Sequence, residues 1–151
     1  MPILENCEMT IRRFEKGDFE ACARLLMETY NAPPWNDAWT AETAGKYIDE
    51  FTRYARFVGF VAVIDGSIEG AAFLREKTWI DGSELYVDEF YVSPRRQGRG
   101  IGKALFAHIE AYAEENGLES ITLLTDKRKP AFRFYRKNGM AESENTVFMY
   151  K

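Results

Sequence analysis

A chain of 151 residues can bury one sizeable core but not a second, so one domain spanning 1–151 is expected. Hydrophobic residues at 46% and charged residues at 29% describe a globular chain, and no apolar run is long enough to cross a bilayer, so no membrane partner is expected. The formal net charge of −4 argues against nucleic acid, whose binding rests on clustered excess Lys and Arg, and leaves a cationic small molecule as a suitable guest.

The opening Met1-Pro2-Ile3-Leu4-Glu5 lacks the basic and then apolar profile of a secretory signal, so a cytoplasmic location is expected. Cys7 and Cys22 show neither metal-type nor redox-type spacing, and with His108 as the lone histidine the usual zinc ligand sets cannot be assembled. Reduced structural thiols and no metal are expected.

Met9 to Phe14 reads as a strand. Asp18 then stands where a helix cap belongs, ahead of Phe19, Cys22, Ala23, Leu26 and Tyr30 at helical spacing. Asn31-Ala32-Pro33-Pro34 ends that helix, Trp35 to Trp39 form an aromatic loop, and Thr40 caps a second helix with Ala44, Tyr47, Ile48, Phe51 and Ala55 on one face. Three strands follow as an antiparallel meander, 57–64, 67–77 and 84–92, turned at Asp65-Gly66 and Asp81-Gly82. Ile101, Ala104, Leu105, His108, Ile109 and Tyr112 mark a long amphipathic helix closed by Gly117. A strand over 120–125, a helix over 131–138 stopped by Gly139, and a last strand over 142–150 complete the order. His108 falls on its helix's apolar stripe and reads as structural, and Trp79 as packing or a subunit contact.

The stretch Val92-Ser93-Pro94-Arg95-Arg96-Gln97-Gly98-Arg99-Gly100-Ile101-Gly102-Lys103 carries the chemistry. A strand stops, glycines alternate and a helix begins, so backbone N–H groups can converge on an anion at the helix mouth. A dinucleotide fingerprint would need glycine at Lys103 or Leu105, and a P-loop would need glycine at Gln97 and Ser or Thr at Ala104; both fail. Gln97-x-x-Gly100-x-Gly102 after a strand instead resembles the coenzyme A pyrophosphate motif of the GNAT superfamily of N-acetyltransferases. Ala131-Phe132-Arg133-Phe134-Tyr135-Arg136-Lys137-Asn138-Gly139-Met140 is similar to that family's Ala-x-x-x-Tyr-x-x-x-Gly ending, and the element order resembles the family's from end to end.

The resemblance implies an α/β (α+β) GNAT fold: a mixed, mostly antiparallel central sheet flanked by about four helices. It implies acetyl-CoA as acyl donor and direct transfer to a primary amine in a ternary complex. Gln97, Gly98, Arg99, Gly100, Ile101, Gly102 and Lys103 would hold the diphosphate. The backbone of Phe90, Tyr91 and Val92, on a strand that splays from its neighbour, would hold the pantetheine arm and thioester. Arg128 stands where many members carry an asparagine that contacts the same arm. Tyr135 matches the general acid, and Glu89 the strand glutamate that assists deprotonation.

Strand alternation sends Asp88 and Glu89 to opposite faces, so at most one should enter a given cleft. A phenol, of pKa near about 10, can hydrogen-bond or protonate a thiolate of pKa near about 8.5, while an ammonium near about 10.4 needs help to lose its proton. Trp35 and Trp39 could enclose a cation by their ring faces, with Asp37 and Asp88 supplying negative charge; equally, the indoles could only staple the loop to the core. A small cationic amine is the first acceptor expected. A protein or peptide acetyltransferase, needing an open groove, and a non-catalytic acyl-CoA sensor are the alternatives. A homodimer through the sheet's open edge or last strand is a fold-level expectation.

Overall fold

The computed structural model describes residues 8–151, so Cys7 and the opening residues lie outside the described part. Strands β1 (Met9–Arg13), β2 (Phe57–Ile64), β3 (Ser67–Trp79), β4 (Gly82–Val92) and β5 (Ser120–Leu123) form one five-stranded sheet in chain order. β1 to β4 pair antiparallel and β5 runs parallel to β4, the mixed sheet that the sequence implies.

Helices α1 (Phe19–Tyr30) and α2 (Ala41–Thr52) cover one face, and α3 (Ile101–Glu115) covers the other; α4 (Pro130–Lys137) follows β5. β2 and β3 are therefore buried on both sides and read as apolar runs. Cys22, Leu26, Ala44, Ile48 and Phe51 pack against Val61, Ala71, Phe73 and Tyr91 on the first face. Leu105, Ile109 and Ala113 pack against Val58, Phe60, Ala72, Leu74, Leu85 and Val87 on the second. His108 stacks edge-on to Phe60, with ring centroids 4.8 Å apart, in keeping with a structural role. Trp79 is exposed at the end of β3.

Thr40 caps α2 as expected: its hydroxyl accepts from the Thr43 N–H at 3.1 Å, while Thr43 Oγ1 accepts from the Thr40 N–H at 2.9 Å. Asp18 behaves differently from a simple cap. Its carboxylate takes two hydrogen bonds from the Arg12 guanidinium, at 2.7 and 2.9 Å, and one from the Glu15 N–H at 2.8 Å, tying β1 to the 3-10 turn before α1. These bonds hold its carboxyl below the usual range. Gly117, at φ 65°, closes α3 as expected, with the Leu118 N–H reaching back to the Ala113 carbonyl at 2.9 Å.

One expected element is missing. Residues 142–150 form no strand, and Val147, Phe148, Met149 and Tyr150 are exposed. A strand exists only through its ladder: among the described residues the run pairs with no strand, the outer edge of β5 stays open, and β propensity alone does not supply the pairing.

Candidate active site

The Val92-to-Lys103 stretch forms a cradle at the mouth of α3. Gly98 and Gly100 have φ of 77° and 83°, the left-handed region that a side chain disfavours. The Arg96 N–H donates to Ser93 O at 2.9 Å and the first N–H returned to the helix is that of Ala104, to Gly100 O at 3.0 Å, which leaves the amides between them for a guest. Gly102 is needed for a different reason than positive φ. A Cβ there would stand 3.2 Å from Phe134 Cε2 and 3.7 Å from Val92 Cγ2, so it permits α3 to lie close to α4 and β4.

Above the cradle opens a cavity of about 530 Å³, lined by Phe90, Tyr91, Val92, Arg96, Gln97, Gly98, Gly100, Gly102, Lys103, Phe134 and Tyr135 among others. Its basic, amide-rich end suits a diphosphate and its aromatic end suits a pantetheine arm, so these residues fit coenzyme A. The expected Arg99 and Ile101 do not line it; Ile101 is buried against Ala62 and Ile64. Arg128 does not line it either. Its guanidinium is held by Asp126 through bonds of 3.0 and 2.8 Å, at an exposed turn. The Tyr91 hydroxyl donates to Cys22 O at 2.8 Å and so is not available to a guest as a donor.

β4 and β5 part company halfway. Their pairing runs from Glu84–Ser120 to Val87–Leu123, and beyond Val87 the β5-facing edge of β4 has no strand beside it. A second cavity of about 290 Å³ opens in this gap, lined by Asp88, Glu89 and Phe90 on one side and Leu123 to Asp126 on the other, with Trp35, Asp37 and Trp39 at its rim. Tyr30, Trp35, Phe90, Ala131 and Tyr135 line both cavities.

The strict alternation expected of β4 fails here. Phe73 pairs with Glu89 and Leu74 with Val87, so Asp88 is the extra residue of a β-bulge. Arg75, opposite Tyr86 in the ladder, reaches Asp88 at 3.2 Å and stacks on Tyr54, while Glu89 is bonded by Tyr30 of α1 and Tyr47 of α2. Both carboxylates thus face the α1–α2 side and line the same cavity. Burial raises the carboxyl of Asp88 above its ordinary range, with Arg75 opposing.

Glu89 is partly buried, and desolvation raises its carboxyl above the ordinary range. Hydrogen bonds from Tyr47 and Tyr30, each 2.7 Å, work against that rise. Tyr135 is buried among Phe90, Phe106 and Phe134, and burial, then the charge of Glu89, push its phenol upward. It therefore stays protonated across neutral pH, and full transfer of its proton is costlier than a free phenol's would be.

In the aromatic loop, Asn31 braces both sides of Trp39: its Oδ1 accepts from the Trp39 N–H at 2.8 Å, and its Nδ2 donates to Trp39 O at 2.9 Å. The Trp39 indole N–H donates to Asp37 at 3.1 Å and its ring lies on Tyr47. Trp35 packs edge-on to Tyr30 and already carries a cation, Lys129 Nζ, 5.3 Å from its ring centre and 3.1 Å from Pro34 O. The indoles staple the loop to the core, and Trp35 and Trp39 also border the second cavity. Sequence reasoning missed Tyr30 and Tyr47, which were read only as apolar-stripe positions. Their hydroxyls at the stripe's edge were the available signal.

The sequence profile of the Acetyltransferase (GNAT) family matches residues 19–140. The chain belongs to that family. Among curated GNAT relatives, it is 34% identical over 84 residues to streptothricin acetyltransferase of Streptomyces lavendulae, a match covering 54% of this chain and 43% of that protein. That match spans less than half of the relative's length. It is 28% identical over 151 residues to aminoglycoside N(6')-acetyltransferase type 1 of Stenotrophomonas maltophilia, covering 92% of this chain and 90% of the other. Among solved structures, aminoglycoside N-acetyltransferase AAC(6')-Iy in complex with CoA superposes with a TM-score of 0.76 at 19% identity, over 99% and 98% of the two chains. An aminoglycoside acetyltransferase from an uncultured soil metagenomic sample, in complex with sisomicin, gives 0.74 at 21% identity, over 95% of each chain. These likenesses extend the GNAT fold to the whole of the sheet and its helices.

Among the described residues no group of three or more His, Cys, Asp or Glu is arranged to hold a metal, and no helix is long and apolar enough to cross a membrane.

Proposed function

We propose that this GNAT protein transfers an acetyl group from acetyl-CoA to a primary amine of a small cationic molecule, by direct attack within a ternary complex. The observation that carries the reading is the junction of the two cavities: a donor cavity fitting coenzyme A meets a carboxylate-lined acceptor cavity at Tyr135. Of the carboxylates around the second cavity, Asp88 is paired with Arg75 and Asp126 with Arg128, and Asp37 and Glu89 give it the negative charge that suits a cationic guest. Relatives named for aminoglycoside and streptothricin acetylation support the same class.

Phe90, Tyr91 and Val92 offer backbone groups to the pantetheine arm and thioester, with the Val92 N–H as donor to the carbonyl oxygen as it gains charge. Glu89 takes the proton as the amine nitrogen bonds to the carbonyl carbon, and its raised pKa makes it a better base. Tyr135 donates to the departing sulfur. Once Glu89 is neutral, one of the two influences that hold the Tyr135 phenol up is gone, so the first proton transfer eases the second. Carboxylate and phenol supply the acid–base chemistry without a metal.

We place the protein in the cytoplasm, where acetyl-CoA is at hand and a free thiol such as Cys22 stays reduced. One catalytic domain and a homodimer complete the reading. The test is mass-spectrometric identification of products from acetyl-CoA offered with polycationic aminocyclic compounds, with monoamines and with lysine-rich peptides. Acetylation confined to the first group is expected; turnover of the peptides alone would replace the small-molecule reading.

A further inference from the structure

Two phenols from different helices converge on one carboxylate. Tyr30, the last residue of α1, donates to Glu89 Oε2, and Tyr47, mid-way along α2, donates to Oε1, each at 2.7 Å. We infer that Tyr30 and Tyr47 are the positioning residues of Glu89, each holding one carboxylate oxygen so that the group stays an ionised acceptor aimed along the second cavity. The inference rests on the proposed role of Glu89 as base, and goes beyond it by assigning what makes that role workable.

The physical need is plain. A carboxylate moved out of water becomes neutral unless donors replace its hydration, and a neutral Glu89 could not accept a proton. The other side chains around it give no such help. Asp88, on the same strand, is a like charge that Arg75 offsets; Tyr91 lies beside it on β4, and the Tyr135 phenol approaches from α4. Beyond the two phenols, the Phe90 N–H is the remaining group that favours its ionised form. Two phenols and the Phe90 N–H take three of the carboxylate's roughly four lone-pair sites, so it is solvated by protein yet keeps a site that can take a proton.

The two tyrosines differ usefully. Tyr30 lines both cavities, whereas Tyr47 lines neither and reaches the site only through Glu89 and the ring of Trp39. Tyr47→Phe therefore isolates the hydrogen bond. Tyr47 also packs between Trp39 and Phe51, contacts that phenylalanine retains.

The experiment follows the Glu89 carboxyl directly, by carbon NMR of protein labelled at the glutamate carboxyls, the signal being assigned by its loss in Glu89→Gln. The same proteins are assayed for kcat/KM against pH. Removing a donor to the ionised form must raise the carboxyl's midpoint, so Tyr47→Phe, and more so Tyr30→Phe/Tyr47→Phe, should shift the titration to higher pH. On the acidic side of the profile kcat/KM should fall about tenfold per phenol, returning close to native at high pH, as expected for loss of a hydrogen bond to a charged group. A merely structural tyrosine would lower thermal stability or kcat at every pH and leave the midpoint where it was; an unmoved midpoint in folded Tyr47→Phe overturns the inference. If the midpoint moves but the rate profile does not follow it, the positioning role stands and Glu89 as base is what fails. Should Tyr47→Phe not fold, Tyr30→Phe carries the same titration.

Discussion

Tyr135 is the group on which the chemistry and the packing make opposite demands. Its burial against Phe90, Phe106 and Phe134 fixes it where the two cavities meet, and the same burial makes the phenol reluctant to part with its proton. In the transfer proposed above, Tyr135 first hydrogen-bonds the sulfur as charge develops there and gives up its proton once Glu89 is neutral. Glu89 has the complementary problem, and Glu89→Gln should lower kcat/KM about a hundredfold at neutral pH and abolish the acidic limb of the rate profile, measured by steady-state kinetics from low to high pH. Away from the site, Asp18 links pH to stability. Its folded pKa lies below its ordinary value of 3.8, so its contribution is full above that value and is lost as pH falls through the folded pKa. Asp18→Asn should cost about 1.5 kcal/mol at pH 7, a figure that allows for solvent screening of Arg12, with the difference vanishing in acid; denaturant melts at the two pH values check it.

At the level of elements, the bulge in β4 and the parting of β4 from β5 make the site. The bulge puts Asp88 and Glu89 on one face, and the parting gives them a cavity to line. The parting was expected, since the family resemblance implies a strand at Phe90 to Val92 that splays from its neighbour; the bulge was not legible. Leu85 to Val92 alternates well enough to suggest a regular strand, because a bulge is decided by how β3 and β4 register across Phe73 and Leu74. The cradle was legible, since glycine spacing at a strand-to-helix junction is a local signal, although Gly102 serves close packing instead of positive φ. Gly102→Ala should therefore press on Phe134 and raise the KM for acetyl-CoA roughly tenfold, with the acceptor KM little changed, as overpacking of a tight contact costs on the order of 1–3 kcal/mol. Arg128 shows the limit of position matching: its place in the chain aligns with a family contact, yet Asp126, two residues away, takes its side chain.

For the whole molecule, the helices and four antiparallel strands followed from periodicity, and the core on both faces of the sheet is what that periodicity demands. Two details differ: the Asp18 carboxylate goes to Arg12 and the Glu15 N–H instead of capping α1, and α2 ends at Thr52, leaving Ala55 exposed in a turn. The failure lies at the far edge, where Val147 to Tyr150 stay exposed instead of extending the sheet beyond β5. Strand propensity alone could not say whether a partner edge would be within reach. An unpaired apolar run and an open parallel edge in one molecule suit each other across two copies, the form of homodimer proposed above. Sedimentation equilibrium should show a dimer, and replacing Val147 and Phe148 by lysine should return it to a monomer.

The proposed transfer itself is tested most directly by release of free coenzyme A from acetyl-CoA in the presence of polycationic amines, comparing the native protein with Tyr135→Phe. Turnover that drops about a hundredfold in Tyr135→Phe, with acetyl-CoA binding intact by calorimetry, is expected. Tight acetyl-CoA binding with no release on any amine or peptide would contradict it and leave a protein that senses the acyl donor without spending it.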